Sequence, residues 1–305
     1  MTTQQKSVSS RAWAELALLA LIWGGSFLSI RIALDEIGPL TAVLHRTGWA
    51  MILLWGVVLL RRLPLPRRAG TWGAFLVMGC LNNVIPFGLM AWGQLHIATG
   101  LTSIFNAATA IFGVLVAAIF LADERLSPRK LTGVVLGFAG VVTAIGPENL
   151  TRLDLRSVAQ LAVLGGTLSY ALAGVWARKH LAGLHPVMAA AGMLTGSTLV
   201  MIPLVLGFEG VPSLALELRT WAAIGYYAVI ATALAYLLYY RVLAMAGSGN
   251  LMLVTLMIPP VAIVLGALVL NEALHPAAYV GFALLAIGLA VIDGRIWRLF
   301  RDWVR

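Results

Sequence analysis

Charged residues are scarce in this sequence, and acidic residues are the scarcest of them. Only 11% of the 305 residues are charged, with 21 Lys and Arg against 12 Asp and Glu. A soluble domain is about a quarter charged and about half apolar. Here 61% of the residues are hydrophobic and the mean hydropathy is +0.94, which is more apolar surface than a water-soluble core can bury. A lipid bilayer is the solvent that fits this composition.

Groups that carry out chemistry are also missing. The single cysteine, Cys80, lies in an apolar segment, which excludes a disulfide framework and a cysteine metal cluster. A Walker-type phosphate loop is absent, which argues against ATP-driven pumping. The five histidines are scattered toward the ends of apolar segments, so a membrane-embedded enzyme is disfavoured. We therefore expect no catalytic residue, no metal and no cofactor.

Long apolar runs make up most of the chain. Each is close to the ~20 residues that a membrane-spanning helix needs. Backbone amides find no water in hydrocarbon, so these runs are predicted to be helices. The predicted fold is an all-α membrane protein with ten transmembrane helices, at residues 12–33, 39–60, 71–95, 98–122, 128–146, 157–179, 186–206, 219–244, 249–270 and 276–293.

The basic residues fall mainly on one side of these predicted spans. Sixteen of the 21 lie at the N-terminus and in the even-numbered connections and C-terminal tail, four lie on the opposite side, and Arg46 lies within a span. Cytoplasmic loops are enriched in Lys and Arg, so both termini are predicted to be cytoplasmic. This topology and anionic lipid headgroups account for the net charge of +9, and no nucleic-acid partner is expected.

The two halves of the chain repeat one pattern. The offset is 148 residues for Leu126-x-Pro128 with Leu274-x-Pro276, Gly133 with Gly281, and Gly140 with Gly288, and 147 for Trp23 with Tyr170 and Pro39 with Pro186. A unit of five spans ends on the opposite side of the bilayer, so its copy runs upside down. Secondary transporters are built in this way. We predict one membrane domain over residues 1–305, with repeat one at about 12–146 and repeat two at about 157–293.

Several spans carry polar and aromatic side chains at helical spacing. A buried polar group without a partner costs about 1–3 kcal/mol, so such stripes favour a shared cavity. Hydroxyl, amide, thioether and ring groups suit a neutral or zwitterionic ligand with an apolar body. Hydrogen bonding and packing between helices is the alternative. The predicted substrate-binding residues are Trp23, Ser26, Arg46, Asn83, Met90, Asn106, Thr109, Tyr170, Tyr236, Tyr239 and Thr255.

Arg46 and three prolines stand out within the spans. An intramembrane cation is a functional candidate, and Arg46 could meet a substrate carboxylate or cap carbonyls freed at a bend. Pro86, Pro203 and Pro259 are predicted hinges for alternating access, with static kinks as the alternative. No Asp or Glu is predicted at mid-membrane, so tight proton coupling is unsupported and facilitated diffusion or exchange is equally open.

The fifth and tenth spans are short and rich in glycine. Gly133 and Gly137 lie one turn apart in the fifth, and the tenth runs through Gly281 to Gly288. Small residues allow helices to approach closely. We predict that these are peripheral packing helices away from the ligand, and that they offer a homodimer surface.

Several of these motifs together resemble the EamA repeat of the drug/metabolite transporter superfamily. They are Trp23-Gly24-Gly25-Ser26-Phe27, Pro39 with Arg46, Asp123-Glu124-Arg125-Leu126 with Gly133 and Gly140, and then Pro259, Asn271-Glu272-Ala273-Leu274, Gly281 and Gly288. The resemblance implies a ten-helix inverted-repeat carrier of the bacterial inner membrane that exports small metabolites. The chain is most similar to the YddG-type exporters of aromatic amino acids. Asp123-Glu124 and Asn271-Glu272 depart from the more usual Gly-Glu of the family.

The predicted function is export of small neutral or aromatic amino acids by alternating access. The alternative keeps the fold and changes the cargo to purines, drugs or nucleotide sugars. A cationic drug would favour a mid-membrane carboxylate, and none is seen. A phosphorylated sugar would favour several inward cations, and only Arg46 is available.

Overall fold

The computed structural model describes residues 9–122, 126–145, 155–246 and 254–293, and all regular structure in these residues is helical. Eight of these helices are long and apolar enough to cross a membrane, and the last two along the chain are shorter apolar helices. The helices are α1 Ser10–Ala33, α2 Pro39–Leu60, α3 Ala69–Gly93, α4 Thr99–Phe120, α5 Pro128–Ile145, α6 Leu155–His180, α7 Pro186–Phe208, α8 218–246, α9 Val254–Leu270 and α10 Pro276–Asp293.

Proline marks where four of these helices begin. Pro39, Pro128, Pro186 and Pro276 are each the first helical residue. The first turn of a helix has no acceptor for its amides, so the missing N–H of proline has no cost there. The helix boundaries agree with the predicted spans to within a few residues. The predicted span end at 146, the span start at 249 and the acidic motif at 123–125 lie outside the described residues.

The outside of the bundle is apolar and its interior is partly polar. Ile119 is 73% exposed and Leu268 is 77% exposed, whereas Asn83 and Ser197 are fully buried. A water-soluble protein shows the opposite distribution, because exposed apolar surface is unfavourable in water. The chain is therefore a multi-pass membrane protein.

Helix packing follows a symmetric pattern. Helix α1 packs on α8 and α9, and in the same way α6 packs on α3 and α4. Helix α2 packs on α8 as α7 packs on α3, and α2–α7, α4–α9 and α5–α10 are also neighbours. The same set of pairs results when each of the first five helices is replaced by its counterpart in the second half, α1 by α6 and so on to α5 by α10.

Glycines bring α5 and α10 into backbone contact. A Cβ added at Gly133 would lie 2.6 Å from the carbonyl oxygen of Gly288, and one added at Gly140 would lie 2.6 Å from that of Gly281. An early residue of α5 thus meets a late residue of α10, so the two helices run antiparallel. The predicted close packing through these glycines is observed within one chain. A homodimer surface stays a prediction, and on these helices it would use exposed residues such as Val135 and Val280.

Three carboxylates join the halves at the end of the bundle that carries the α1–α2 loop. Glu209, after α7, accepts from two amides in the first turn of α2, at 2.8 and 2.7 Å. Glu272, after α9, accepts from two amides in the first turn of α4, at 3.0 and 3.4 Å. Glu36, after α1, accepts from the Glu217 N–H just before α8, at 3.1 Å. A negative charge at a helix N-terminus is favourable, so each contact stabilises a junction between halves.

Candidate functional site

Two helices contain a wide turn at matched positions. Helix α3 is a π-helix over Cys80–Val84, and α8 is a π-helix over Tyr226–Leu234. The offset of 147 places residues 80–84 onto 227–231, inside the second π-helix. Such segments are rare and are frequent at functional sites. The apolar pattern of the sequence did not predict them.

The first π-helix presents two amides to the interior. Asn83 is fully buried and its Nδ2 donates to Ser197 Oγ at 2.7 Å. The Tyr236 hydroxyl donates to Asn83 Oδ1 at 3.5 Å and accepts from Asn82 Nδ2 at 3.4 Å. These bonds link α3 of the first half to α7 and α8 of the second. Asn83 and Tyr236, both predicted site residues, therefore lie side by side.

Arg46 lies next to this network. Its Nε donates to Thr232 Oγ1 at 2.9 Å, and the Thr232 hydroxyl donates to the Tyr227 carbonyl at 2.8 Å. The guanidinium carbon lies 3.9 Å from the centre of the Phe87 ring, which is a cation–π arrangement. The side chain is buried, with 8% of its surface exposed.

The charge of Arg46 has no acidic partner in the part of the chain that the structure describes. The hydroxyls of Tyr170, Tyr227 and Tyr236 lie in its surroundings. Arg46 donates to no backbone carbonyl among these residues, so the predicted alternative of a carbonyl cap is not what the geometry shows. The result is a buried cation facing hydroxyl, amide and aromatic groups.

Tyr170 completes this group of residues. Its ring meets the Phe87 ring edge-on, with centroids 6.3 Å apart. Tyr170 and Tyr236 are both half-buried. Four predicted residues, Arg46, Asn83, Tyr170 and Tyr236, are thus gathered around one region, which we call the arginine cluster together with Asn82, Phe87 and Thr232.

Trp23 and Tyr239 form a second pair beside the arginine cluster. Their ring centroids are 6.0 Å apart, and Trp23 Nε1 donates to the Ala231 carbonyl at 3.1 Å. Ala231 lies within the π-helix of α8 and immediately precedes Thr232. The Trp23–Tyr239 pair is therefore connected to the arginine cluster through the peptide bond between Ala231 and Thr232.

The remaining predicted residues take other positions. Ser26 donates to the carbonyl of Trp23 on its own helix at 2.7 Å, and Met90 is buried in the apolar core. Asn106 and Thr109 flank a break in α4 at Ala108. Within the described residues, the Thr109 hydroxyl is buried without a partner and Asn106 makes no side-chain hydrogen bond.

Thr255 lies near the beginning of α9 and is half-buried. The contacts of the described residues do not place it, or the residues at the α4 break, against the arginine cluster. These assignments stay predictions.

The predicted hinges differ in their surroundings. Pro86 is buried directly after the π-helix of α3, where its missing N–H removes a normal helical bond. Pro259 is buried inside α9. Pro203 lies inside α7 but is exposed on the outside of the bundle. Pro86 is the proline most closely tied to the candidate site.

Three members of the arginine cluster were not predicted as site residues. Asn82 precedes Asn83 on the π-helix, and Phe87 and Thr232 hold Arg46. Thr232 lies one helical turn before Tyr236 and Phe87 one turn after Asn83, so helical spacing places both on the polar stripes, although neither was among the predicted substrate-binding residues. Asn82 had no such signal, because an α-helix would turn it away from Asn83.

A separate cleft of about 500 Å³ lies near the ends of α2, α3 and α7. Its walls are mainly apolar and it contains none of the predicted site residues. We treat it as distinct from the arginine cluster. Its lining residues are Pro39, Leu40, Val84, Ile85, Gly88, Leu89, Trp92, Phe208 and Glu209.

The sequence has clear relatives among known proteins. It matches the EamA-like transporter family over residues 12–146 and again over 157–293. A probable terminal-alkyne amino-acid exporter of Streptantibioticus cattleyicolor is 28% identical over 299 residues, which cover 94% of this chain and 95% of that protein. A probable amino-acid metabolite efflux pump of Escherichia coli is 24% identical, with 95% and 97% covered. An uncharacterized Bacillus subtilis transporter is 23% identical, with 89% and 92% covered.

A solved crystal structure has a similar fold. It superposes with a TM-score of 0.66 at 18% sequence identity, and the match covers 94% of this chain and 98% of the other. At this sequence identity, the structural similarity is evidence for the fold only.

Proposed function

Since the chain belongs to the EamA-like transporter family, we propose that it exports small neutral or aromatic amino acids and related metabolites by alternating access. The family makes it a transporter rather than an enzyme. The choice of cargo rests on the arginine cluster. It is a buried cation among aromatic and amide groups drawn from both halves, with no acidic partner in the described residues.

The proposed architecture is ten transmembrane helices arranged as two inverted five-helix repeats. The symmetric packing of the helices and the matched π-helices support it. The antiparallel contact of α5 with α10 supports inversion, because the two helices hold equivalent places in their repeats. We propose the same repeat boundaries as the sequence suggested, 12–146 and 157–293 within one membrane domain.

We place the protein in the bacterial inner membrane with both termini in the cytoplasm. The excess of Lys and Arg on that side supports this orientation. The three carboxylate contacts of Glu36, Glu209 and Glu272 then lie on the outer face. Contacts that join the halves there favour a state closed to the outside.

An amino acid fits the arginine cluster better than the rival cargoes do. A zwitterion brings a carboxylate for Arg46 and an apolar body for Phe87, Tyr170 and Tyr236. A phosphorylated sugar would favour several inward cations, of which only Arg46 is available in the spans, and a cationic drug would meet Arg46 as a like charge. Two relatives whose names refer to amino-acid export support this choice, and YddG-type selectivity for aromatic amino acids is part of the proposal.

A counterflow assay in liposomes tests the cargo directly. Purified protein is reconstituted with each of the twenty amino acids inside, and uptake of a labelled amino acid is followed with and without a pH gradient. We expect neutral and aromatic amino acids to drive uptake above that of protein-free liposomes. Counterflow driven by a purine or a cationic dye, and by no amino acid, would refute the proposed cargo.

A further inference from the structure

We propose that Arg46 binds the carboxylate of the transported solute through its two terminal nitrogens, and that Thr232 and Phe87 orient it for this task. This rests on the proposed export function and names the group that the site recognises. The carrier is thereby selective for a monocarboxylate attached to an apolar body. Thr232 and Phe87 are positioning residues, since they act through Arg46.

The two contacts of Arg46 fix the plane of its guanidinium. Nε is held by Thr232 Oγ1 at 2.9 Å, and the guanidinium carbon lies over the Phe87 ring, 3.9 Å from its centre. A planar group that is bonded at one edge and held against a ring has little rotational freedom left. Its remaining edge is the pair of Nη atoms, and two parallel N–H groups match the two oxygens of a carboxylate.

The hydroxyl of Thr232 is oriented so that it can only accept from Arg46. Its hydrogen is donated to the Tyr227 carbonyl at 2.8 Å, within the π-helix of α8. A hydroxyl has one hydrogen to donate, so the lone pairs of Oγ1 are left for the Arg46 Nε–H. The π-helix therefore provides Thr232 and also the carbonyl that fixes the direction of its hydroxyl.

The terminal nitrogens of Arg46 have no protein partner in the part of the chain that the structure describes. The hydrogen bond of its side chain there is made by Nε, and none is made by either Nη atom. A buried charge with no counter-ion is costly, and a bound carboxylate would offset that cost. Because no described protein group bonds this edge of the guanidinium, we assign it to the solute.

The positioning residues come from both halves. Arg46 on α2 and Phe87 on α3 belong to the first half, and Thr232 on α8 belongs to the second. A relative movement of the halves would separate Nε from Thr232 and release the orientation of the guanidinium. Carboxylate affinity and the conformational state are thereby linked through one hydrogen bond.

The test compares an amino acid with its amide. Phenylalanine and phenylalaninamide share the ring and the ammonium group and differ in the carboxylate. Each is measured as an inhibitor of counterflow by the wild-type protein and by Arg46→Lys, Thr232→Val and Thr232→Ser. Thr143→Val is the matched control, because the Thr143 hydroxyl bonds only a carbonyl of its own helix, Ala139.

We expect Arg46→Lys to weaken inhibition by phenylalanine roughly 10-fold to 100-fold, since it keeps the charge and loses the paired donors. Thr232→Val weakens it about fivefold to tenfold, and Thr232→Ser and Thr143→Val stay at the wild-type value. Inhibition by phenylalaninamide changes little in every variant.

Two results overturn this assignment. One is an unchanged affinity for phenylalanine in folded Arg46→Lys or, should that variant not fold, in Thr232→Val. The other is an equal loss for phenylalanine and its amide, which would make Arg46 a structural residue. Absence of amino-acid counterflow in the wild-type protein would instead refute the proposed export function.

Discussion

The side chains of the arginine cluster bond across the two halves more than within them. Asn83 bonds Ser197, Tyr236 bonds both asparagines, and Arg46 bonds Thr232. A hydrogen bond between moving parts has to break when those parts separate. At the scale of single residues, the polar groups thus contribute to solute binding and to holding one conformation.

Replacing Tyr236 by phenylalanine separates these two contributions. The hydroxyl bonds are long, at 3.4 and 3.5 Å, so their loss should lower the free energy of unfolding by less than about 1 kcal/mol. Counterflow should fall several-fold, because the hydroxyl belongs to the arginine cluster that we propose binds the solute. Thermal unfolding and counterflow are measured together, with Tyr279→Phe as the control on an exposed tyrosine. Full counterflow in Tyr236→Phe would remove this tyrosine from the site.

Helical spacing predicted part of the cluster and missed the rest for a physical reason. Arg46, Asn83, Tyr170 and Tyr236 could be found because each is a polar or aromatic group on an apolar helix. Met90 lies two helical turns after Asn83, and the structure buries it in apolar packing. A π-helix puts an extra residue into a turn, so α-helical spacing could not place Asn82 in the cluster beside Asn83.

At the scale of helices, length and hydropathy were enough to place nearly every element. The apolar runs had to be helical because hydrocarbon offers no other partner for the backbone. The π-helices and the break at Ala108 could not be predicted, since they depend on which neighbour a turn packs against. The glycines of α5 and α10 were recognisable as packing positions, but only the structure shows that they pack on each other.

The glycine contact predicts a large effect of one added methyl group. Gly140→Ala places a Cβ 2.6 Å from backbone atoms of α10, which cannot move aside as a side chain can. We expect the free energy of unfolding to fall by about 1–3 kcal/mol, as in other overpacked sites. Gly56→Ala, with no atom within 4 Å of the added carbon, should be neutral or stabilising. Equal thermal stability of the two variants in detergent would contradict the contact.

At the scale of the whole molecule, the two ends of the bundle are held by different chemistry. On the face with the α1–α2 loop, carboxylates bind the amides of helix starts. On the opposite face, Glu15 of α1 pairs with Arg11 and with Arg241 of α8. The repeat pattern of the sequence predicted two halves, but not which groups join them. A carboxylate can bind the amides of a helix start only when a distant segment approaches that helix. Local sequence does not specify this approach.

Glu272→Gln tests the strength of one such junction. The variant keeps one acceptor oxygen and loses the charge that faces the first turn of α4. We expect a loss of about 1 kcal/mol in the free energy of unfolding, measured by thermal unfolding in detergent. Asp35→Asn removes an exposed ion pair with Arg31 and should have almost no effect. A similar decrease in the free energy of unfolding in both variants would show that the contact of Glu272 with α4 contributes no more than an exposed ion pair.

The reciprocal glycine contact has a consequence for the origin of the chain. Gly133 corresponds to Gly281 and Gly140 to Gly288, while in space Gly133 meets Gly288 and Gly140 meets Gly281. This exchange of partners is the signature of a self-complementary, isologous interface, the kind that joins identical subunits around a two-fold axis. An ancestral half-length polypeptide bearing these glycines would have carried a surface that fits a second, oppositely inserted copy of itself, so gene fusion had only to tether a pair already able to assemble.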